Sequence, residues 1–315
     1  MKTGPGRIAI NEVGPRDGLQ IEPVFVATDD KVALVDALSG CGFARIEVTS
    51  FTSARAIPAL ADAEAVMQRI RRRPDVVYTC LVPNLRGMER ALDSGTDELN
   101  LVMSVSETHN RANLRMTRDQ STTQLLAMLE RARAAGVPCN VSLSTTFGCP
   151  FEGEVPSSEV ARLAQMFAQA GASGITLCDT TGMAYPTQVA DLCASLSACL
   201  PASAPLTIHL HNTRGMALAN ALAAWQAGVS RFDAAAGGLG GCPYAPGASG
   251  NVNTEELVHM FESMGVETGV SLVPLLDIVA KLPGLVERPL PNQLLAAGPR
   301  LRSHPAPGRY TSGLD

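Results

Sequence analysis

Short runs of β-branched and aliphatic residues return along this chain about every 30 to 40 residues, the period of strand and helix units stacked into a parallel sheet. Eight such runs occur: RIAINEV (7 to 13), ARIEVTS (44 to 50), VVYTCLV (76 to 82), ELNLVMS (98 to 104), PCNVSLST (138 to 145), GITLCD (174 to 179), LTIHLH (206 to 211) and RFDAAA (231 to 236). Between them lie Ala- and Leu-rich stretches with helical spacing, among them Thr28 to Cys41, Ile57 to Arg72, Ser157 to Ala170 and Pro186 to Leu200. Glycines at Gly40, Gly95, Gly136, Gly171 and Gly228 close such stretches and predict left-handed helix caps before the next strand. Eight alternations predict an α/β fold, a closed (β/α)8 barrel in preference to an open doubly wound sheet. The barrel is expected to occupy residues 1–285 as one domain. Extra helices from Asn253 through Met264 and from Ser271 to Lys281 complete its wrapping. Residues 286–315, rich in Pro, Gly, Arg and Ser, predict an irregular or disordered tail.

Composition narrows the classes of function. Apolar residues make up 46% and charged residues 17%, enough aliphatic material for a sizeable core. A net charge of -5 leaves no basic footprint for nucleic acid, and Arg71, Arg72 and Arg73 read as a solvated cluster at a helix end. The eight cysteines are scattered with no C-x-x-C pair, which points to reduced thiols. No apolar run reaches membrane-spanning length and MKTGPGRIAINEV carries no apolar leader, so the expected setting is the cytoplasm without a membrane partner.

In such a barrel the C-terminal strand ends converge on one face, and polar groups there are candidates for chemistry. Arg16 and Asp17 sit in the turn GPRDGLQ (14 to 20) after the first run. The guanidinium suits an enolate or thioester oxygen and the carboxylate suits a hard divalent ion; a local surface ion pair is the plainer alternative. His209 and His211 are two of five histidines and lie two apart on a strand, where alternation turns both to one face, so one metal can bridge them. Mixed imidazole and oxygen ligation admits Mg, Mn, Zn or Co. The stretch GGLGGCPYAPGASGN (237 to 251) is too rich in Gly and Pro for helix or strand and brings Cys242, a candidate acid or base; alone it also suits a phosphate cradle. Glu47 ends the second run, placed to hold Arg16 or a metal-bound water. Asp179 ends the sixth, as a supporting carboxylate or the cap of the next turn. His109 and Asn110 lie in the polar segment SETHNRAN (106 to 113), within reach of a substrate or on a loop surface.

Taken together, EVGPRDGLQ (12 to 20), IEVTSF (46 to 51), GCPFEG (148 to 153), CDTTG (178 to 182), HLHNTRGMALAN (209 to 220) and GLGGCPYAPGASGN (238 to 251) resemble the 3-hydroxy-3-methylglutaryl-CoA lyases, barrel metallolyases related to isopropylmalate synthase. The resemblance covers residues 8 to 282. It implies a divalent metal, Mg or Mn first, held by Asp17, His209, His211 and Asn251. It also implies catalytic roles for Arg16, Cys242, Glu47 and Asp179, and substrate contacts from Arg16, Gln20, Thr145, His109 and Asn110. The implied partner is an acyl-CoA thioester, cleaved by retro-Claisen chemistry in a homodimer or higher homo-oligomer. Three departures leave the acyl group open: Asn212 after the second histidine, Ile21-Glu22 after GLQ, and the 106 to 113 segment. A longer 3-hydroxy-3-alkylglutaryl-CoA or another branched hydroxyacyl-CoA fits equally. The competing readings are a condensing synthase using a 2-oxo acid and a catalytically silent acyl-CoA binder.

Overall fold

The computed structural model describes residues 4–241 and 250–305. Eight parallel strands close into a barrel in sequence order, β1 (Ala9–Glu12), β2 (Arg45–Ser50), β3 (Val77–Val82), β4 (Glu98–Ser104), β5 (Cys139–Ser144), β6 (Gly174–Asp179), β7 (Leu206–Leu210) and β8 (Arg231–Ala234). β1 pairs with both β2 and β8, which seals the ring. An open sheet would leave two edges, so the expected barrel is the fold.

Helices wrap the outside because each crossover carries one apolar stripe. Val160, Leu163, Ala164 and Phe167 form the buried stripe of the helix Ser157–Gln169, and Val189, Leu192, Cys193 and Leu196 that of Pro186–Cys199. Phe43, Ile46, Tyr78, Phe232 and Phe261 are among the largest fully buried side chains of this core. Burying a side chain of that size stabilises the fold by roughly 1.5–3 kcal/mol, so the layer between strands and helices carries most of the stability.

Several boundaries differ from those expected. The stretch from Ile57 to Arg72 is not one helix but a 3-10 turn, Pro58–Leu60, and a short helix, Ala63–Arg69, after which Ile70 is extended. Arg71, Arg72 and Arg73 therefore lie beyond the helix and pair with Asp36, Asp97 and Asp75 at the surface. Gly95, Gly136, Gly171 and Gly228 take positive φ, but Gly40 does not; its φ is -78° and the left-handed position falls at Gly42. A Cβ at Gly42 would lie 2.2 Å from the Gly269 carbonyl oxygen, so this position requires glycine. The segment 106 to 113 is no open connection but the start of a helix, Glu107–Leu114, because the Ser106 hydroxyl caps the His109 amide.

Part of the chain after 285 has regular structure. A five-residue helix, Gln293–Ala297, buries Leu294, and the Arg288 guanidinium lies 2.6 Å from Glu22 Oε1. That pair gives the departure at Glu22 a structural use. The cysteines among the described residues are free thiols, and no helix among them is long and apolar enough to cross a membrane.

The barrel interior breaks a general rule. Such barrels are ordinarily filled by layers of branched aliphatic side chains. Here the interior holds a cavity of about 30 Å³ lined by Asn11, Glu47, Asn100, Asn140, Thr176 and Asp233. Asn140 donates to Asn100 at 3.0 Å and to Thr176 at 2.9 Å, and Asn100 donates to Glu47 at 2.8 Å. This polar layer lies directly beneath the strand-end residues described next.

Candidate metal centre at the strand ends

Past β1 the chain winds through one π-helical turn, Gly14–Gly18, in which the Val13 carbonyl accepts the amides of Arg16, Asp17 and Gly18. The tight turn presents two consecutive charged side chains inward, and both are buried. Arg16 Nη1 lies 2.7 Å from Asp17 Oδ1 and Nη2 lies 2.5 Å from Glu47 Oε2. A surface ion pair is thereby excluded. Gln20 Nε2 donates to Asp17 Oδ1 at 2.8 Å.

β7 brings in the histidines as alternation requires. His209 and His211 lie side by side, with ring centroids 5.2 Å apart and the ring planes tilted by 48°. Suitable ligand atoms of Asp17, His209 and His211 all lie within 4.8 Å of one another, and all three residues are buried. β7 itself stops at Leu210; His211 forms an antiparallel bridge with Asn251, which draws the far end of the Gly-rich segment onto the centre. Asn251 Nδ2 donates to Asp17 Oδ2 at 2.7 Å and to the Leu239 carbonyl at 3.0 Å.

Burial disfavours the charge on Asp17, yet the Arg16 guanidinium and the two imidazoles hold its carboxyl at about 2. Burial and the neighbouring His209 push His211 down to about 4, so at neutral pH it carries a lone pair. For His209 burial is opposed by Asp233 and Asp17, and its pKa rises. Burial pushes Glu47 up against Arg16 and the Asn100 amide.

A divalent cation fits these donors. His211 Nδ1 and Asn251 Oδ1 are buried and have no hydrogen-bond partner among the described residues. Orphaned buried acceptors are costly, and beside an ionised carboxylate they are the donors a hard or borderline ion takes. The four expected ligands therefore stand together, with Arg16 and Gln20 against Asp17 and Glu47 behind Arg16.

The other expected residues have different surroundings. Asp179 caps the turn after β6, accepting the Met183 amide at 2.7 Å and the Ala184 amide at 3.1 Å; burial still raises its carboxyl to about 6. His109 and Asn110 are neither loop surface nor open to solvent. His109 Nδ1 lies 2.7 Å from Ser104 Oγ, and Asn110 is engaged by the Ser104 amide, the Met116 carbonyl and Ser121. Thr145, with a φ of 59°, turns its hydroxyl to the Ser144 carbonyl. Cys242 lies outside the described residues. Asn212, one of the departures, accepts the Ala217 amide through its side chain and donates its own backbone amide to the Gly250 carbonyl.

Sequence reasoning passed over Asp233, which it treated only as part of a strand. Asp233 Oδ2 lies 3.3 Å from His209 Nδ1, and Asn11 Nδ2 donates to its Oδ1 at 2.8 Å. It also passed over Glu12, whose carboxylate accepts the amides of Gly14 at 2.8 Å and Ala236 at 3.0 Å and the hydroxyl of Thr254. Glu12 thus ties the turn carrying Arg16 to the entry of the Gly-rich segment. The available signal was a charged residue inside a strand run, in Asp233 and Glu12 alike.

Known proteins resemble this chain over nearly their whole length. The chain is 45% identical over 291 residues to hydroxymethylglutaryl-CoA lyase YngG of Bacillus subtilis (strain 168), covering 92% of this chain and 97% of that one. It is 40% identical to (R)-citramalyl-CoA lyase of Chloroflexus aurantiacus, covering 93% and 95%. A solved HMG-CoA lyase from Acenitobacter baumannii, in complex with coenzyme A and 3-methylmalate, superposes with a TM-score of 0.92 at 47% identity, covering 96% and 98%. The family description HMGL-like matches residues 7–281, and with these relatives it establishes that the chain belongs to the HMGL-like family.

Proposed function

We propose that this protein is a divalent-metal-dependent carbon–carbon lyase that cleaves 3-hydroxy-3-methylglutaryl-CoA, or a related 3-hydroxy-3-alkylglutaryl-CoA, to acetyl-CoA and a 3-oxo acid such as acetoacetate. The observation that carries this reading is the buried group of Asp17, His209 and His211 set against the Arg16 and Glu47 pair at the C-terminal ends of the strands. Asp17, His209, His211 and Asn251 would hold the ion, with Mg or Mn proposed. When bound, the ion would supply Lewis acidity to the substrate's C3 hydroxyl.

In the reaction the C3 hydroxyl loses its proton, the C2–C3 bond breaks, and its electron pair passes into the thioester as an enolate that is then protonated at carbon. Arg16 offsets the negative charge that develops on the thioester oxygen. Glu47 fixes the guanidinium, and the low pKa of Asp17 keeps its carboxylate ionised throughout. Cys242 is assigned the proton transfer. Gln20, which donates to Asp17, is assigned to the substrate's polar groups. The barrel over residues 1–285 is assigned as the catalytic unit, braced by the following segment through Arg288 and Leu294.

Because one relative is named for citramalyl-CoA, that thioester belongs in the assay beside 3-hydroxy-3-methylglutaryl-CoA. Incubating the protein with Mg or Mn and each thioester should release acetyl-CoA from at least one. No release from any overturns the lyase reading. A Cys242→Ala variant should lose turnover and keep its metal by elemental analysis.

A further inference from the structure

We propose that Asp233 is a positioning residue of the metal centre, holding the His209 imidazole by Nδ1 so that Nε2 stays turned toward Asp17. The proposal rests on the metal-dependent reading above. β7 and β8 are adjacent and parallel, and the register sets His209 opposite Asp233. The imidazole consequently spans two carboxylates. Asp233 Oδ2 stands 3.3 Å from Nδ1, and Asp17 Oδ2 stands 3.9 Å from Nε2 on the other edge.

A neutral imidazole carries one ring proton, and the hydrogen bond made by one nitrogen decides which nitrogen keeps a lone pair. With an acceptor fixed at Nδ1, the proton sits there and Nε2 is left as the donor atom toward the ion. The carboxylate also makes the ring a stronger ligand. Asp233 is itself held: its second oxygen takes the Asn11 amide at 2.8 Å. Asn11 Oδ1 is buried without a hydrogen-bond partner among the described residues, and both side chains line the polar cavity of about 30 Å³, room for one or two waters. A polar barrel interior is costly, and this is what it supports. His211 shows the contrast, since its Nδ1 has no partner among the described residues. The two histidines are therefore unequal ligands, one oriented from below and one oriented only by what it binds.

The test titrates metal-free protein with Mn²⁺ by calorimetry, for the wild type, Asp233→Ala, Asp233→Asn and Thr207→Val. Asp233→Ala should weaken Kd by about 10- to 100-fold. Asp233→Asn, which keeps an acceptor and loses the charge, should fall between. Thr207→Val changes the same cavity and should bind as the wild type does. Long-range ¹⁵N NMR of the metal-free wild type at alkaline pH should show His209 protonated at Nδ1, and a tautomer mixture in Asp233→Ala. Protonation of the wild-type ring at Nε2, a Kd for Asp233→Ala within twofold of wild type, or equal weakening in Thr207→Val overturns the proposal. Should Asp233→Ala not fold, the wild-type tautomer and the Asp233→Asn titration decide. A wild type that takes up no Mn²⁺ overturns the metal-dependent reading and this proposal with it; intact wild-type binding with an unaffected variant overturns this proposal alone.

Discussion

Arg16 and Glu47 meet in the barrel mouth with Nη2 and Nε of the guanidinium each 2.5 Å from the same carboxylate oxygen, Oε2, and neither residue is exposed. Glu47 Oε1 takes the Asn100 amide, so the pair is anchored to the polar interior of the barrel. Taking one partner from a buried pair strands the other charge and typically costs about 3–5 kcal/mol. Glu47→Ala should lose stability of that size in urea unfolding. The double change Arg16→Met with Glu47→Leu should lose less than the two single changes summed, because each single change takes away a contact that the other residue shares. A loss in the double variant equal to or greater than that sum contradicts this.

Arg16 is also expected to act on the reaction itself. Removing one preorganised donor at a developing oxyanion slows chemistry by roughly 10²- to 10³-fold. Steady-state release of acetyl-CoA by Arg16→Met should show kcat reduced by about that factor and KM changed far less. A large rise in KM with kcat preserved would assign Arg16 to binding alone.

Stripping the ion should cost both activity and stability. A ligand that binds only the folded protein stabilises it by about 2.7 kcal/mol at a hundredfold excess over Kd. Chelator-treated protein should therefore melt at a lower temperature and recover on adding Mn²⁺. His209→Ala should abolish that recovery, and a recovery equal to wild type argues against ligation by His209.

Glu12 makes stability depend on pH. Burial pushes its carboxyl from 4.5 up to about 7, against hydrogen bonds from Ala236, Thr254 and Gly14. The folded state then keeps a proton that the unfolded chain has released, so the stabilisation is complete below 4.5 and is lost as pH rises through 7. The shift corresponds to about 3 kcal/mol. Glu12→Gln cannot titrate, and wild-type stability relative to it should fall across that window in parallel urea titrations. A constant difference would place the Glu12 pKa near its ordinary value.

Gly240 borders the centre with φ +107°, and a Cβ there would lie 2.7 Å from Asn251 Nδ2. Gly240→Ala is strained in the backbone and crowds the amide. Mn²⁺ affinity in this variant should drop several-fold while the far-UV circular dichroism stays that of the wild type; an unchanged affinity would mean that Asn251 does not depend on this close approach.

How much of this was legible beforehand follows from which interactions are local. The repeat of strand and helix, the single face shared by His209 and His211, and the turn carrying Arg16 and Asp17 are set by dihedral preference and side-chain period, which act over a few residues. So is the Ser106 cap, although the polar segment it starts reads as a loop until the helix is seen. By contrast, Asn251 reaches Asp17 across 234 positions and Glu12 reaches Thr254 across 242, and only barrel closure brings such pairs together. That Asn110 is buried against Ser104 and Ser121, and that Asp233 stands against His209, was decided by burial and register. These are properties of the packed chain: a polar side chain shielded from water takes whichever partner the tertiary structure sets beside it, and no local pattern names that partner.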